Sequence, residues 1–279
     1  MRIAVVGCGY VGTALGKRLC QDGVASELVA TTTSNKRLVG LESLGFEARR
    51  VELPDDVGGL AEVLRGCEMA YFTAAPARAR GVDDYRRLYV DGARALLTAC
   101  GSLGVPRLIY TSSSAVYGQQ DGSWVDENSS TDPGSERGRA LLEAERLLLD
   151  ASTTDLQVSV LRLSGIYGPD RGPQRVLDRV SGQERSDGAA FLNLIHRDDV
   201  IEALVRLAGV PYDGLLNWSN DQPVTRRDFY DPLLAEAGLD AARWAEGDAP
   251  ELGKRISNAL AKRVLGLELL HPRYGVGQH

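Results

Sequence analysis

Three stretches carry residue types at spacings suited to chemistry. Near the start, "RIAVVGCGYVGTAL" sets Gly7, Gly9 and Gly12 as G-x-G-x-x-G directly after an apolar run. Gly7 permits a tight turn, Gly9 lets the backbone approach a pyrophosphate, and Gly12 lets the next helix pack closely, its N-terminus facing the phosphates. Further on, "RLIYTSSSAVYGQQ" ends a strand in a run of hydroxyls. Such groups hold a substrate oxygen or simply bond the backbone. The third stretch, "SERGRALLEAERLLL", has charges at three- and four-residue steps and an apolar opposite side, which is an amphipathic helix. Gly138 breaks that pattern: glycine inside a helix costs about 1 kcal/mol against alanine, so it marks a close backbone approach.

The identity of a bound dinucleotide depends on the end of the second strand, where an acidic residue would grip the ribose hydroxyls. Here the chain reads Thr31, Thr32, Thr33, Ser34, Asn35, Lys36, Arg37, with no carboxylate. Hydroxyls and two cations suit a 2′-phosphate, so the expected cofactor is NADP rather than NAD, with Ser34 also placed to cap the second helix. The expected lining is Gly7, Gly9, Tyr10, Val11, Gly12, Thr32, Thr33, Ser34, Arg37, Ala74 and Ala75.

The elements that must position these residues alternate regularly. Short apolar runs, "RIAVV", "SELVAT", "FEARRVEL", "EMAYFTA", "RLIYTS" and "LQVSVLRL", are separated by helical patterns at 11–22, 34–44, 56–65, 83–103 and 135–149. This rhythm predicts an α/β fold, a Rossmann-type doubly wound parallel sheet that binds ligands beyond the carboxyl ends of its strands. After about residue 165 the composition shifts to "GIYGPDRGPQR" and isolated helices. The expected organisation is a dinucleotide domain at 1–165 and a smaller C-terminal substrate lobe at 166–279, with 191–219, which holds the strand "GLLNWSN", returning to the sheet.

The 279 residues, 43% hydrophobic and 25% charged, suit an ordinary globular protein with a sizeable core. A net charge of −6 argues against a nucleic-acid partner. No uncharged apolar stretch reaches the roughly 18 residues of a membrane span, and the N-terminal apolar run lacks a cleavage region. A cytoplasmic location is therefore expected. Cys8, Cys20, Cys67 and Cys100 are scattered, and with three histidines they give no metal cluster, so no metal is expected.

Taken together, the glycine loop, "TSSSAVYG", "LRLSGIYGP", "NLIHRDDVIEAL", "LLNWSNDQPVTRRDFY" and "KRISNALAKRVLG" resemble the extended short-chain dehydrogenase/reductases, the superfamily of nucleotide-sugar epimerases and dehydratases, in order over nearly the whole chain. The glycine spacing departs from the usual G-x-x-G-x-x-G and is closer to an atypical, epimerase-like branch. The resemblance implies an oxidoreductase or epimerase-like enzyme acting on a small polar or nucleotide-sugar-like substrate, and a homodimer through the helices at 83–103 and 135–150. It assigns to Ser113, four residues before Tyr117, a hold on the reacting oxygen. The family's Y-x-x-x-K pair aligns with Arg137 and Leu141, and Gly138 falls on the family glycine. Arginine stays protonated and cannot donate a proton near neutral pH, but it clamps carboxylates or phosphates well. Tyr117 is then the replacement acid, with Ser113 and Arg137 completing the expected catalytic set. The alternative is a catalytically inactive NADP-binding sensor.

In the second lobe, Arg162, Arg171 and Arg175 surround "GIYGPDRGPQR" as either a solvated loop or an anion contact. Asp198 or Asp199 is expected to cap a helix, His196 to serve in capping and anchoring the core rather than in catalysis, and Trp124, Trp218 and Trp244 to pack.

Overall fold

The computed structural model describes residues 1–76, 81–245 and 251–274. From the start, β1 (Arg2–Val6), α1 (Tyr10–Gln21), β2 (Glu27–Thr32), α2 (Asn35–Glu42), β3 (Glu47–Arg50), α3 (Val57–Leu64) and β4 (Met69–Phe72) alternate. A helical passage follows, made of α4 (Val82–Arg86), a π turn (Arg87–Asp91) and α5 (Gly92–Leu103). Next come β5 (Arg107–Ser113), a 3-10 turn (Ser114–Val116), β6 (Asp121–Val125), α6 (Glu136–Asp150) and β7 (Gln157–Leu163). Short elements then intervene: β8 (Gly165–Tyr167), α7 (Gln174–Leu177), β9 (Glu184–Arg185), β10 (Phe191–Leu192) and β11 (Leu194–His196). The chain continues through α8 (Arg197–Gly209), β12 (Gly214–Trp218), β13 (Val224–Thr225), α9 (Arg226–Glu236), β14 (Arg243–Trp244), β15 (Gly253–Ile256) and α10 (Ala259–Leu265).

Seven strands form one sheet in the order β12-β7-β5-β4-β1-β2-β3. β1 pairs in parallel with both β2 and β4, so the order of connection reverses at β1 and β4. Ligands bind at such a reversal, beyond the strand ends, and here the glycine loop leaves β1. The strands are buried apolar runs: Ile3, Ala4, Val5, Met69, Ala70, Tyr71 and Phe72 are fully covered, as expected when helices lie on both faces.

The chain divides into two compact units: Met1–Val116, Pro133–Arg162 and Ile201–Leu216 form the first, and Tyr117–Asp132, Leu163–Val200 and Asn217–His279 the second. The sequence suggested a cut near 165, but 117–132 falls in the second unit because β6 pairs in parallel with the distant β15, Ile256 opposite Val125. Residues 201–216 fall in the first. There Arg107 donates to the carbonyls of Leu207, Ala208 and Val210 at the end of α8, supplying the cation and donors that a helix C-terminus attracts. The second unit has its own core of Leu177, Val180, Phe229, Tyr230, Leu233, Leu234 and Ala242.

Inside the first unit, α6 is held by a buried ion pair. Arg162 on β7 donates through Nε and Nη2 to the Glu145 carboxylate, at 3.0 and 2.6 Å, and the Ser112 hydroxyl of β5 bonds the same carboxylate. Arg162 was expected to border the basic loop that follows. It instead lies on the covered face of β7, where a charge is tolerable only with a partner. Removing one partner from a buried pair costs about 3–5 kcal/mol because the other charge is left bare. Glu145→Ala is therefore expected to lose about that much stability in urea denaturation, and the apolar double variant Glu145→Leu/Arg162→Met to recover most of it. A loss under about 1 kcal/mol would contradict this role.

Candidate functional site

The glycine loop is locked from three sides. Gly7 has a φ of +94°, and a Cβ there would lie 2.4 Å from Ala74 Cα, so only glycine fits. A Cβ on Gly12 would meet Thr73 Oγ1 at 2.6 Å and the Gly7 carbonyl at 2.8 Å. Thr31 Oγ1 accepts from the Gly7 amide at 2.9 Å, and Thr73 Oγ1 donates to the Gly7 carbonyl at 2.9 Å. The side of Gly9 is open by contrast: the nearest atom to a Cβ placed there is Nη1 of Arg37, at 3.8 Å. A guanidinium thus borders the face of the loop that a pyrophosphate needs clear.

Ser34 caps α2, its side chain accepting from the Arg37 amide at 3.4 Å, and Ser34 N donates to Thr32 Oγ1. Thr32 is buried, whereas Thr33 and Arg37 are exposed. Arg50 joins this corner unforeseen. It lies opposite Thr32 in the β2–β3 register and donates from Nε to the Thr33 carbonyl at 3.3 Å. Sequence reasoning missed Arg50 and Thr73 because both reach the loop through pairing with other strands. Tyr10 and Val11 open α1 and are half-buried, Ala74 abuts Gly7, and Ala75 is exposed after β4.

Ser113 ends β5, half-buried, with its Oγ accepting from the Ala115 amide at 3.2 Å. Gly138 explains itself at the same place: a Cβ would lie 2.6 Å from the Ala115 carbonyl and 2.6 Å from Pro133 Cβ. The first turn of α6 is pressed onto the chain that leaves β5. Ser135 caps this helix, accepting from Gly138 N at 3.1 Å. Leu141 is buried among the core residues of α6. Arg137 is exposed and lies beside Tyr89, which the π turn presents. Burial pushes the Tyr89 phenol up, and the Arg137 charge opposes the shift.

Tyr117 requires correction. Its ring is buried, and its hydroxyl lies 2.8 Å from the Asp126 carbonyl and 2.9 Å from the Asn217 side-chain amide. A phenol has one proton, so it donates to Asp126 and accepts from Asn217, whose amide oxygen and nitrogen are interchangeable in placement. This hydroxyl ties elements of the second unit together and is not the replacement acid.

The weaker signals also resolve. His196, not Asp198 or Asp199, caps α8, with Nδ1 accepting from Asp198 N at 3.2 Å. Burial, and after it the neighbouring His271, lowers its imidazole. Asp199 instead accepts from the amides of Leu270 and His271. Against the expectation of no metal-binding group, His196, Asp198 and His271 bring donor atoms within 4.8 Å of one another. The two imidazoles are nevertheless packed against each other, tilted by 40° with centres 3.8 Å apart, whereas two rings on one tetrahedral ion sit roughly 5 Å apart given metal–nitrogen bonds near 2 Å. Trp218 is core and Trp244 is bonded to Asp231, but Trp124 is half exposed under the Arg255 guanidinium. Arg171 is exposed, and the side chain of Arg175 lies outside the described residues.

A parallel sheet with a glycine-lined turn at its reversal defines a dinucleotide-binding α/β protein. Residues 3–215 match the NAD-dependent epimerase/dehydratase family, and the chain belongs to it. Among curated relatives, Protein YeeZ of Escherichia coli strain K12 is 30% identical over 277 residues, covering 97% of this chain and 96% of its own. A 2-alkyl-3-oxoalkanoate reductase of Shewanella oneidensis is 27% identical, covering 91% and 68%. Among solved structures, MoeE5 in complex with UDP-glucose and NAD aligns with a TM-score of 0.79 at 24% identity over 99% of this chain and 95% of that one. UDP-glucose 4-epimerase of Thermotoga maritima, with UDP-glucose, gives 0.81 at 20% identity over 97% and 94%. Among the described residues, no helix is long and apolar enough to cross a membrane.

The Gly138 contact makes a test of sign. Alanine in a helix gains about 1 kcal/mol over glycine, whereas overpacking costs about 1–3 kcal/mol. In α2, a Cβ at Gly40 meets nothing within 4 Å. Gly40→Ala should thus raise urea stability by about 0.5–1 kcal/mol while Gly138→Ala lowers it by about 1–2 kcal/mol. Matching gains at both positions would disprove the close approach.

Proposed function

We propose that the protein is an NAD(P)-dependent oxidoreductase or epimerase-like enzyme that prefers NADP and acts on a polar, anionic substrate. The observation that carries this reading is the Gly9 face, where among the described residues a placed Cβ would meet only the Arg37 guanidinium, at 3.8 Å. The backbone amides at the head of α1 would bind the pyrophosphate. Arg37 and Arg50, with the Thr33 and Ser34 hydroxyls, would take a 2′-phosphate where an NAD-selective site carries a carboxylate. Bound there, the nicotinamide supplies a hydride donor or acceptor.

The other roles belong to the chain's own side chains. Ser113 keeps its hydroxyl proton after accepting the Ala115 amide, so it can donate to a substrate oxygen. Arg137, beside Tyr89, clamps an anionic group or polarises an oxygen, but a guanidinium does not release its proton near neutral pH. Proton transfer therefore falls to water or to a substrate group, and the fixed charge stabilises the oxyanion.

Titration of NADPH and NADH by cofactor fluorescence, followed by a screen of carbonyl and nucleotide-sugar substrates for cofactor oxidation, tests this. NADPH should bind more tightly than NADH, and Arg37→Ala and Arg50→Ala should each weaken NADPH about tenfold to a hundredfold while leaving NADH nearly unchanged, since each charge-assisted bond is worth about 1.5–3 kcal/mol. Equal affinities would refute the NADP preference. Binding without any turnover would favour the sensor, and failure of both nucleotides to bind would end the reading.

A further inference from the structure

Residues 267–274, which follow α10, are strapped to the head of α8 by side chains that titrate. Asp199, buried in the first turn of that helix, accepts from the amides of Leu270 at 2.6 Å and His271 at 3.1 Å. The His271 ring packs on that of His196, tilted by 40° with centres 3.8 Å apart. Further along, the Pro272 carbonyl accepts from the Asp221 amide at 2.8 Å. The Tyr274 ring then meets Tyr167 and Phe229 edge-on, at 4.9 and 4.7 Å, and covers the small core of the second unit. All of these groups belong to that one unit.

His196 is the fixed half of this clasp. Its side chain is buried and also meets Tyr167 edge-on at 5.0 Å. Its Nδ1 accepts from the Asp198 amide, so the ring caps α8 only while that nitrogen is bare. A second proton on the ring must sit on Nδ1, where it removes the acceptor and sets one N–H against another. It also places a charge against the His271 ring, and two imidazolium ions at this separation repel. The surrounding groups do not undo this. Asp198 brings a carboxylate oxygen 3.7 Å from Nδ1, but that side chain is half exposed and equally close to Arg197 Nε. Asp199 directs its carboxylate to the strap amides, and its charge favours a charged His271 rather than a charged His196. Burial pushes the phenols of Tyr167 and Tyr274 up, so they carry no charge near neutrality.

The sign of the pH dependence follows. Burial, then His271, holds the His196 imidazole below its ordinary value of about 6.5, so an opened clasp binds the proton more readily than a closed one. The clasp therefore weakens as the pH falls below about 6.5. Asp199 acts in the opposite sense: burial raises its carboxyl, so its protonation at lower pH favours the held form.

We propose that His196 and His271 form a proton-operated clasp: charging the pair releases residues 269–274 from the head of α8 and uncovers the core beneath Tyr274. The clasp needs no substrate and stands whether or not the chain is an enzyme.

The chain has three histidines, so the full protein reports on the clasp directly. Imidazole proton signals are assigned by replacing each histidine in turn with glutamine. Exchange of the Leu270 and His271 amides is followed at about pH 7.5 and about pH 5.5, either side of the ordinary imidazole value, with EDTA present so that protons alone act. The β4 amides serve as the reference. The His196 signal should titrate below about 6.5, and the protection of the two strap amides should fall several-fold at the lower pH while β4 stays protected. His196→Asn keeps a capping oxygen without a titrating nitrogen, and His271→Phe keeps a packed ring. The double variant should hold the strap at both pH values, and His271→Phe alone should lose less protection than the wild type. Should the double variant not fold, the wild type and His271→Phe decide. Unchanged protection in the wild type, a loss shared equally by β4, or an equal loss in wild type and the folded variants overturns the clasp.

Discussion

The Glu145–Arg162 pair is the constraint on which the geometry of the first unit turns. Both groups are almost wholly buried, so each needs the other, and Ser112 supplies a further hydrogen bond. Because the three residues come from α6, β7 and β5, the pair fixes the rotation of α6 as well as its position. With Glu145 inward, the helix periodicity also turns Gly138 and Leu141 inward. Gly138 then meets the Ala115 carbonyl, and Arg137, one residue earlier, reaches Tyr89.

The glycine loop depends on a different kind of constraint, a shortage of space. Thr73 and Ala74, at the end of β4, stand where a Cβ on Gly12 or Gly7 would go, so the parallel pairing of β1 with β4 decides how tight the turn must be. The adjacent corner carries two cations, Arg37 from α2 and Arg50 from β3, the latter also ion-paired with Glu52 at 3.7 Å, with hydroxyls between them and no acidic residue at the end of β2. Charge of that sign suits a phosphate more than bare ribose hydroxyls.

The second unit is assembled from segments far apart in the chain. β6 pairs with β15, Tyr117 bonds Asp126 and Asn217, and Asn258 donates to both Ser219 and Asp221. These polar ties use buried groups that are costly when left alone, which gives the small core of this unit a specific arrangement.

The sequence by itself determined the alternation of strands and helices, the glycine turn, the Ser34 cap and the close approach at Gly138, because each depends on local periodicity or on conformations open to few residue types. It also identified the family through motifs in their order. The tertiary structure decided the rest. A single phenol at Tyr117 could be an acid or a tie, and only its distant partners, Asp126 and Asn217, made it a tie. Arg162 looked like part of a basic loop until Glu145 met it across the sheet. Arg50 and Thr73 gave no local signal, since strand register and long-range pairing bring them to their places, and neither is written in the spacing of neighbouring residues.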